Sequence, residues 1–133
     1  MNGVMTAALG LWLGGCGTSL MPAQDSPVVL EDVGQVCATV EPGRPIRIDV
    51  DLGCASGCAE GITAECSAEV FPEGLHVSAR GSFIVPWDAR DCIDCIPVRA
   101  RCDGPVAQHK PILLRYGDLS ERGRGRLCVG EPP

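Results

Sequence analysis

Apolar and polar residues alternate with a period of two over much of the chain from Gln35 onward. Ile46, Ile48, Val50 and Leu52 interleave with Arg47, Asp49 and Asp51, the signature of a strand with one buried and one wet face. Ile62, Ala64, Cys66, Ala68 and Val70 repeat the pattern against Thr63, Glu65, Ser67 and Glu69. That alternation suits a strand better than the short helix its two alanines would also allow. Val98, Ala100 and Cys102 alternate with Arg99 and Arg101, which predicts another strand. Residues 75–79 and 82–87 predict two more, joined at Arg80-Gly81 by a tight hairpin turn. Residues 111–116 and 125–129 predict a last hairpin around the segment 117–123. Several short strands at close spacing, Gly- and Pro-rich turns and no long amphipathic helix predict an all-β fold, a small β-sandwich with immunoglobulin-like arrangements among those that fit.

The first part of the chain has a different character. Residues 4–13 form an apolar run too short to span a bilayer as a stable helix and of the length of a signal-peptide hydrophobic region. It ends in Leu13-Gly14-Gly15-Cys16. This stretch resembles the lipobox of bacterial lipoproteins, although no Lys or Arg precedes the apolar run. The resemblance implies cleavage before Cys16, a diacylglyceryl group on the Cys16 sulfur, and a membrane as partner through that N-terminal lipid. Acyl chains in that number anchor a protein stably. Gly17 stands where an Asp signals inner-membrane retention in enteric-type lipoproteins. The implied location is therefore the cell envelope, at the outer membrane or cell surface where the organism has two membranes. Residues 17–33 are small and polar with two prolines. The organisation read from the sequence is a signal peptide at 1–15, a lipidated flexible tether at 16–34 and a cysteine-rich β domain at 35–133. Within the tether Val28-Val29-Leu30 is apolar enough to suit an edge strand.

At 133 residues with nine cysteines the chain allows one domain, small enough that covalent staples matter. Setting Cys16 aside leaves Cys37, Cys54, Cys58, Cys66, Cys92, Cys95, Cys102 and Cys128. An even set in an exported small domain predicts a disulfide framework. Cys66 and Cys102 fall on the apolar sides of their strands, which suits a bridge between two sheets. Cys37 and Cys128, near the two ends of the domain, suit a clamp between first and last strands. A competing reading gives Cys54/Cys58 and Cys92/Cys95 to a metal or to thiol redox chemistry. The two close pairs match a four-thiolate zinc site, but an exported address favours pairing of the thiols. The Cys92-Ile-Asp-Cys95 motif runs into Ile96-Pro97 and a strand, whereas a redox motif sits at a helix N-terminus in a βαβ unit.

The net charge of −6 arises after residue 15, since 1–15 contains no acid or base. That charge disfavours nucleic acid as a partner. Phe71, Phe83, Trp87 and Tyr116 are the aromatics beyond residue 15, few for stacking platforms. His76 and His109, the two histidines, lie outside any H-E-x-x-H motif, and no serine occupies a G-x-S-x-G elbow. The expectation is a protein without catalytic activity, metal or cofactor. Asp88, Asp91 and Asp94 flank Cys92 at a spacing that would suit calcium, but Arg90 among them favours a solvated loop. Arg122, Arg124 and Arg126 alternate near the C-terminus, a basic spot for lipid phosphate or an acidic partner, or an edge strand protected by charge. Over its last 45 or so residues the chain runs from Cys-x-x-Cys into Pro-Val-x-Ala-x-Cys and a terminal hairpin. This is similar to the small cysteine-rich lipoproteins of myxobacteria, a resemblance that brings no activity with it. The function expected is a lipid-anchored envelope module, structural or binding an envelope protein.

Overall fold

The computed structural model describes residues 25–133. The segment 1–15 read as a signal peptide, Cys16, and residues 17–24 of the stretch read as a tether lie outside the described residues. Those residues contain nine strands and no helix: β1 (Ser26–Glu31), β2 (Gln35–Val40), β3 (Pro45–Ser56), β4 (Glu60–Phe71), β5 (Gly74–Val85), β6 (Cys95–Val106), β7 (Ile112–Tyr116), β8 (Leu119–Gly123) and β9 (Gly125–Gly130). They form two packed sheets, a small all-β sandwich stapled by four disulfides. In the first sheet β4 pairs antiparallel with β5, whose other edge is shared. There β1 runs antiparallel beside residues 80–85, β7 runs parallel beside residues 74–77, and β8 lies beyond β7. The second sheet has the order β6, β3, β2, β9, antiparallel throughout.

The alternation in β3, β4 and β6 faces the way the sequence predicts. Ile46, Ile48, Val50, Leu52 and Val98 are buried with Leu75, Val77, Phe83, Leu114 and Tyr116 in one core between the sheets. Ile62, Ala64, Cys66 and Ala68 pack against that core from β4, so this segment is a strand and not a helix. The sheet begins at Ser26, inside the stretch assigned to the tether, because Val28 and Leu30 gain cover when β1 pairs with β5.

The tight turn expected at Arg80-Gly81 is absent. β5 runs unbroken from Gly74 to Val85, and Gly81 sits mid-strand opposite Leu30 and Ala64. Glycine is needed there for space. A Cβ at this position would lie 2.7 Å from Val98 Cγ1 and 3.0 Å from Leu52 Cδ1, so side chains of the facing sheet fill the space over Gly81. The last hairpin also differs. β7 turns at Gly117-Asp118 into β8, while β9 belongs to the other sheet and pairs with β2. Residues 119–122 of β8 are all exposed, so this edge strand has no buried face and no apolar alternation to betray it.

Where β1 ends and β7 has not begun, the edge of β5 would be left with bare backbone groups at Ala79. Asp32 covers them. Its N–H donates to the Ala79 carbonyl at 3.0 Å, and its side-chain Oδ1 accepts from the Ala79 N–H at 2.8 Å. The left-handed backbone of Asp32, φ 47°, is one that Asp tolerates better than most residues. One residue on, the Val33 carbonyl accepts a 2.7 Å hydrogen bond from the Tyr116 hydroxyl. Tyr116 is only 2 % exposed. Burial, and after it the Asp32 charge, push its pKa from 10.0 up to about 12, because both disfavour the phenolate.

Two measurements test this description. Gly81→Ala should lower the unfolding free energy by about 1–3 kcal/mol through overpacking, measured by denaturant titration; a cost near zero would restore the turn. The folded pKa of Tyr116 exceeds the unfolded one, so its stabilising contribution is complete below pH 10 and is lost as pH rises towards about 12. Tyr116 is the one tyrosine, so ultraviolet titration reports it alone. Ionisation should centre near 12 in the folded chain and near 10 in denaturant. Tyr116→Phe should cost about 1 kcal/mol and abolish this alkaline loss.

Candidate functional site

Three of the four disulfides end in β6 or in the loop that precedes it. Cys66 pairs with Cys102, linking β4 to β6 across the two sheets with Cα atoms 5.8 Å apart. Cys37 pairs with Cys128, directly opposite each other in β2 and β9. These are the two pairings that the strand positions suggested. The remaining pairs are Cys54 with Cys95 and Cys58 with Cys92, which strand position had not distinguished. The reason lies in β3. Its register against β6 shifts between Asp51 and Gly53, where Gly53 takes φ 118°. The bulge reverses the facing of the residues after it. Ala55 is buried and Cys54 exposed, on the outer surface where Cys95 also lies.

These last two bridges build one end of the sandwich. Pro86 follows β5, and the 86–94 loop turns back through the Ala89 N–H to Pro86 carbonyl bond at 3.0 Å. Cys58–Cys92 then holds it against the connection between β3 and β4, and Cys54–Cys95 fastens its far end, the start of β6, to β3. Two large apolar side chains stand out from this stapled loop, Trp87 at 65 % and Ile93 at 96 % exposure. The start of β1 lies at the same end. Ser26 pairs with Val85, and the Trp87 N–H donates to Asp25 Oδ1 at 3.2 Å. The sequence reading placed Trp87 at the end of a strand, whereas β5 stops at Val85, and it passed over Ile93, whose neighbours Asp91, Cys92 and Asp94 gave the loop a polar appearance.

The outer face of the second sheet is a ladder of opposite charges. Asp49 on β3 meets Arg101 of β6 at 2.8 Å, Asp51 meets Arg99 at 3.6 Å, and Arg47 lies 3.9 Å from Asp49. The register places the Cys37–Cys128 bridge in the same row as Asp49 and Arg101. Exposed pairs of this kind contribute roughly 0–1 kcal/mol each. They make the face self-neutralising, with little field for a charged ligand. At the end away from Asp25, a groove of about 190 Å³ runs between Val70, Phe71, Leu75, Pro105, Val106 and Ile112.

The other candidate residues do not assemble. His76 is half-buried on the outer face of β5, opposite Glu69 and Arg115, while His109 is exposed between β6 and β7. Asp88, Asp91 and Asp94 are exposed in the 86–94 loop. Among the described residues no group of three or more His, Cys, Asp or Glu is placed to hold a metal ion. The basic spot is divided: Arg122 on β8 faces Glu73 at 3.8 Å, Arg124 lies between strands, and Arg126 is on β9 in the other sheet. Cys54, Cys58, Cys92 and Cys95 do come together, but with each Cys-x-x-Cys sulfur joined to a different partner and no thiolate left for zinc. A thiol-redox motif closes a bridge within itself, and Cys92 and Cys95 do not.

Comparison of the chain with protein families, with curated proteins and with solved structures finds no match in any of the three.

Peptide mapping without reduction should recover 37–128, 54–95, 58–92 and 66–102, with none of these eight cysteines alkylated until reductant is added. Zinc bound in stoichiometric amount with Cys54, Cys58, Cys92 and Cys95 alkylatable would replace the two outer bridges by a metal centre.

Proposed function

We propose that the chain is a lipid-anchored cell-envelope protein whose β-sandwich acts as a structural or protein-interaction module without catalytic activity. The observation that carries this reading is the accounting of its cysteines. Eight of the nine pair with one another within the described residues. The ninth is Cys16, the residue that the lipobox-like Leu13-Gly14-Gly15-Cys16 would modify. Four bridges also suit an oxidising, extracytoplasmic compartment, to which such a leader sends a protein. Outer-membrane or surface placement rests on Gly17 following that cysteine.

The described surface favours binding over bond-making chemistry. Its polar groups are spread along strand faces, and its most exposed large apolar side chains, Trp87 and Ile93 at one end and Val70 and Val106 at the other, lie at the two ends of the sandwich. An envelope protein is the partner class that the location implies.

Expressed in a host that processes lipoproteins, the chain should partition with membranes and carry acyl mass on an N-terminal peptide beginning at Cys16. Cys16→Ser should move it to the soluble fraction with all four bridges intact. A Cys16→Ser protein that stays with membranes and keeps its lipid overturns the reading.

A further inference from the structure

The two ends of the sandwich are not equivalent relative to residues 16–24, which join the described chain at Asp25. We propose that the end formed by the 86–94 loop rests on the bilayer surface to which Cys16 is anchored, with Trp87 and Ile93 entering the headgroup region. This rests on the lipid-anchor reading above and adds to it an orientation and a contact surface.

Connectivity is the first support. β1 starts beside Val85, and Asp25 accepts a hydrogen bond from the Trp87 N–H. The segment from Cys16 to the described chain therefore reaches the fold at the foot of this loop. Residues 16–24 number nine, and even fully extended they span no more than about 30 Å. A lipid at Cys16 thus keeps the loop within that distance of the membrane.

The side chains are the second. Ile93 at 96 % and Trp87 at 65 % exposure are the two most exposed large apolar residues described, and they project from one short loop. Trp, with an apolar body and one N–H donor, suits the headgroup level of a bilayer. Rigidity is the third. Cys54–Cys95 and Cys58–Cys92 fix the loop before it meets anything, so contact adds little ordering cost.

Charge selects the lipid. Asp25, Glu60, Asp88, Asp91 and Asp94 lie in or beside the loop, with Arg90 as the base among them. An anionic surface would repel this end within a Debye length of about 8–10 Å. The surface that fits is a zwitterionic one.

The test uses the lipidated chain purified from membranes and reconstituted into phosphatidylcholine vesicles whose acyl chains carry bromine near the headgroup. Of the two tryptophans, Trp12 and Trp87, Trp12 leaves with the leader when the chain is cleaved before Cys16, so the emission of the lipidated chain is that of Trp87, and Trp87→Phe supplies the blank. Trp87 emission is expected to be quenched and blue-shifted, less so when phosphatidylglycerol is added and less so in Ile93→Asp, whose exposed position leaves the fold unchanged. A chain held on the vesicles by its lipid with Trp87 unquenched overturns the docking, keeps the anchor, and leaves the loop to a protein partner. A chain with no acyl mass on Cys16 that washes off the vesicles overturns the anchor and the docking with it.

Discussion

The constraint on which this structure depends is the thinness of its core. The side chains between the sheets are mostly Val, Ile, Leu and Ala, with Phe83 and Tyr116 as the buried aromatics. Over Gly81 the side chains of Val98 and Leu52 leave no room for even a methyl group. A domain of this size buries a modest share of its surface, and small side chains limit what each buried position contributes. Disulfides supply what the core does not, each stabilising by roughly 2–4 kcal/mol, chiefly through the unfolded chain. Their placement follows from that need. Cys66–Cys102 fastens one sheet to the other at the strands β4 and β6, and Cys37–Cys128 ties β2 to the last strand.

The same economy explains which parts of the fold were legible in the sequence. Ile46 to Leu52 could be read because one buried face and one wet face leave a period of two. Cys66 and Cys102 could be paired because each kept to the apolar side of such a strand. Gly81 was misread because glycine marks two different demands, an unusual backbone angle and missing side-chain volume, and only the neighbouring sheet tells them apart. Gly53 hid the partner of Cys54. A bulge inverts inside and outside from that point on, and alternation counted from Ile46 points Cys54 the wrong way. β8 was invisible because the side chains of residues 119–122 all face solvent. Arg122, Arg124 and Arg126 looked like one basic stripe for a related reason: the chain changes sheets between them, which local spacing does not reveal.

Of the candidate site, the sulfur chemistry was readable and the surface was not. Cysteine number and spacing pointed to a framework, and the framework is there. Trp87 and Ile93 acquire meaning only from three-dimensional neighbours, namely the two bridges that hold their loop and the arrival of β1 beside it. Likewise, Asp49, Asp51, Arg99 and Arg101 each read as the wet side of a strand. Their register shows that they neutralise one another, which removes that face as an electrostatic attractor and leaves the ends of the sandwich as its distinctive surfaces.

Strand β1 also changes the mechanics of anchoring. If the fold began at Gln35, residues 16–34 would reach about 65 Å when fully extended, and the domain could present any side to a membrane. Pairing of Ser26 with Val85 shortens that reach to residues 16–24 and about 30 Å. The twelve-residue strands β3, β4, β5 and β6 are themselves about 40 Å long. On the anchored reading the tether is therefore shorter than the domain. The groove at Val70, Phe71 and Val106 then lies a strand's length from the point of attachment, and an upright domain holds it away from the bilayer. A lipid at Cys16 would in this way divide the two apolar ends, with one kept near the membrane by connectivity and the other held out beyond the reach of the bilayer.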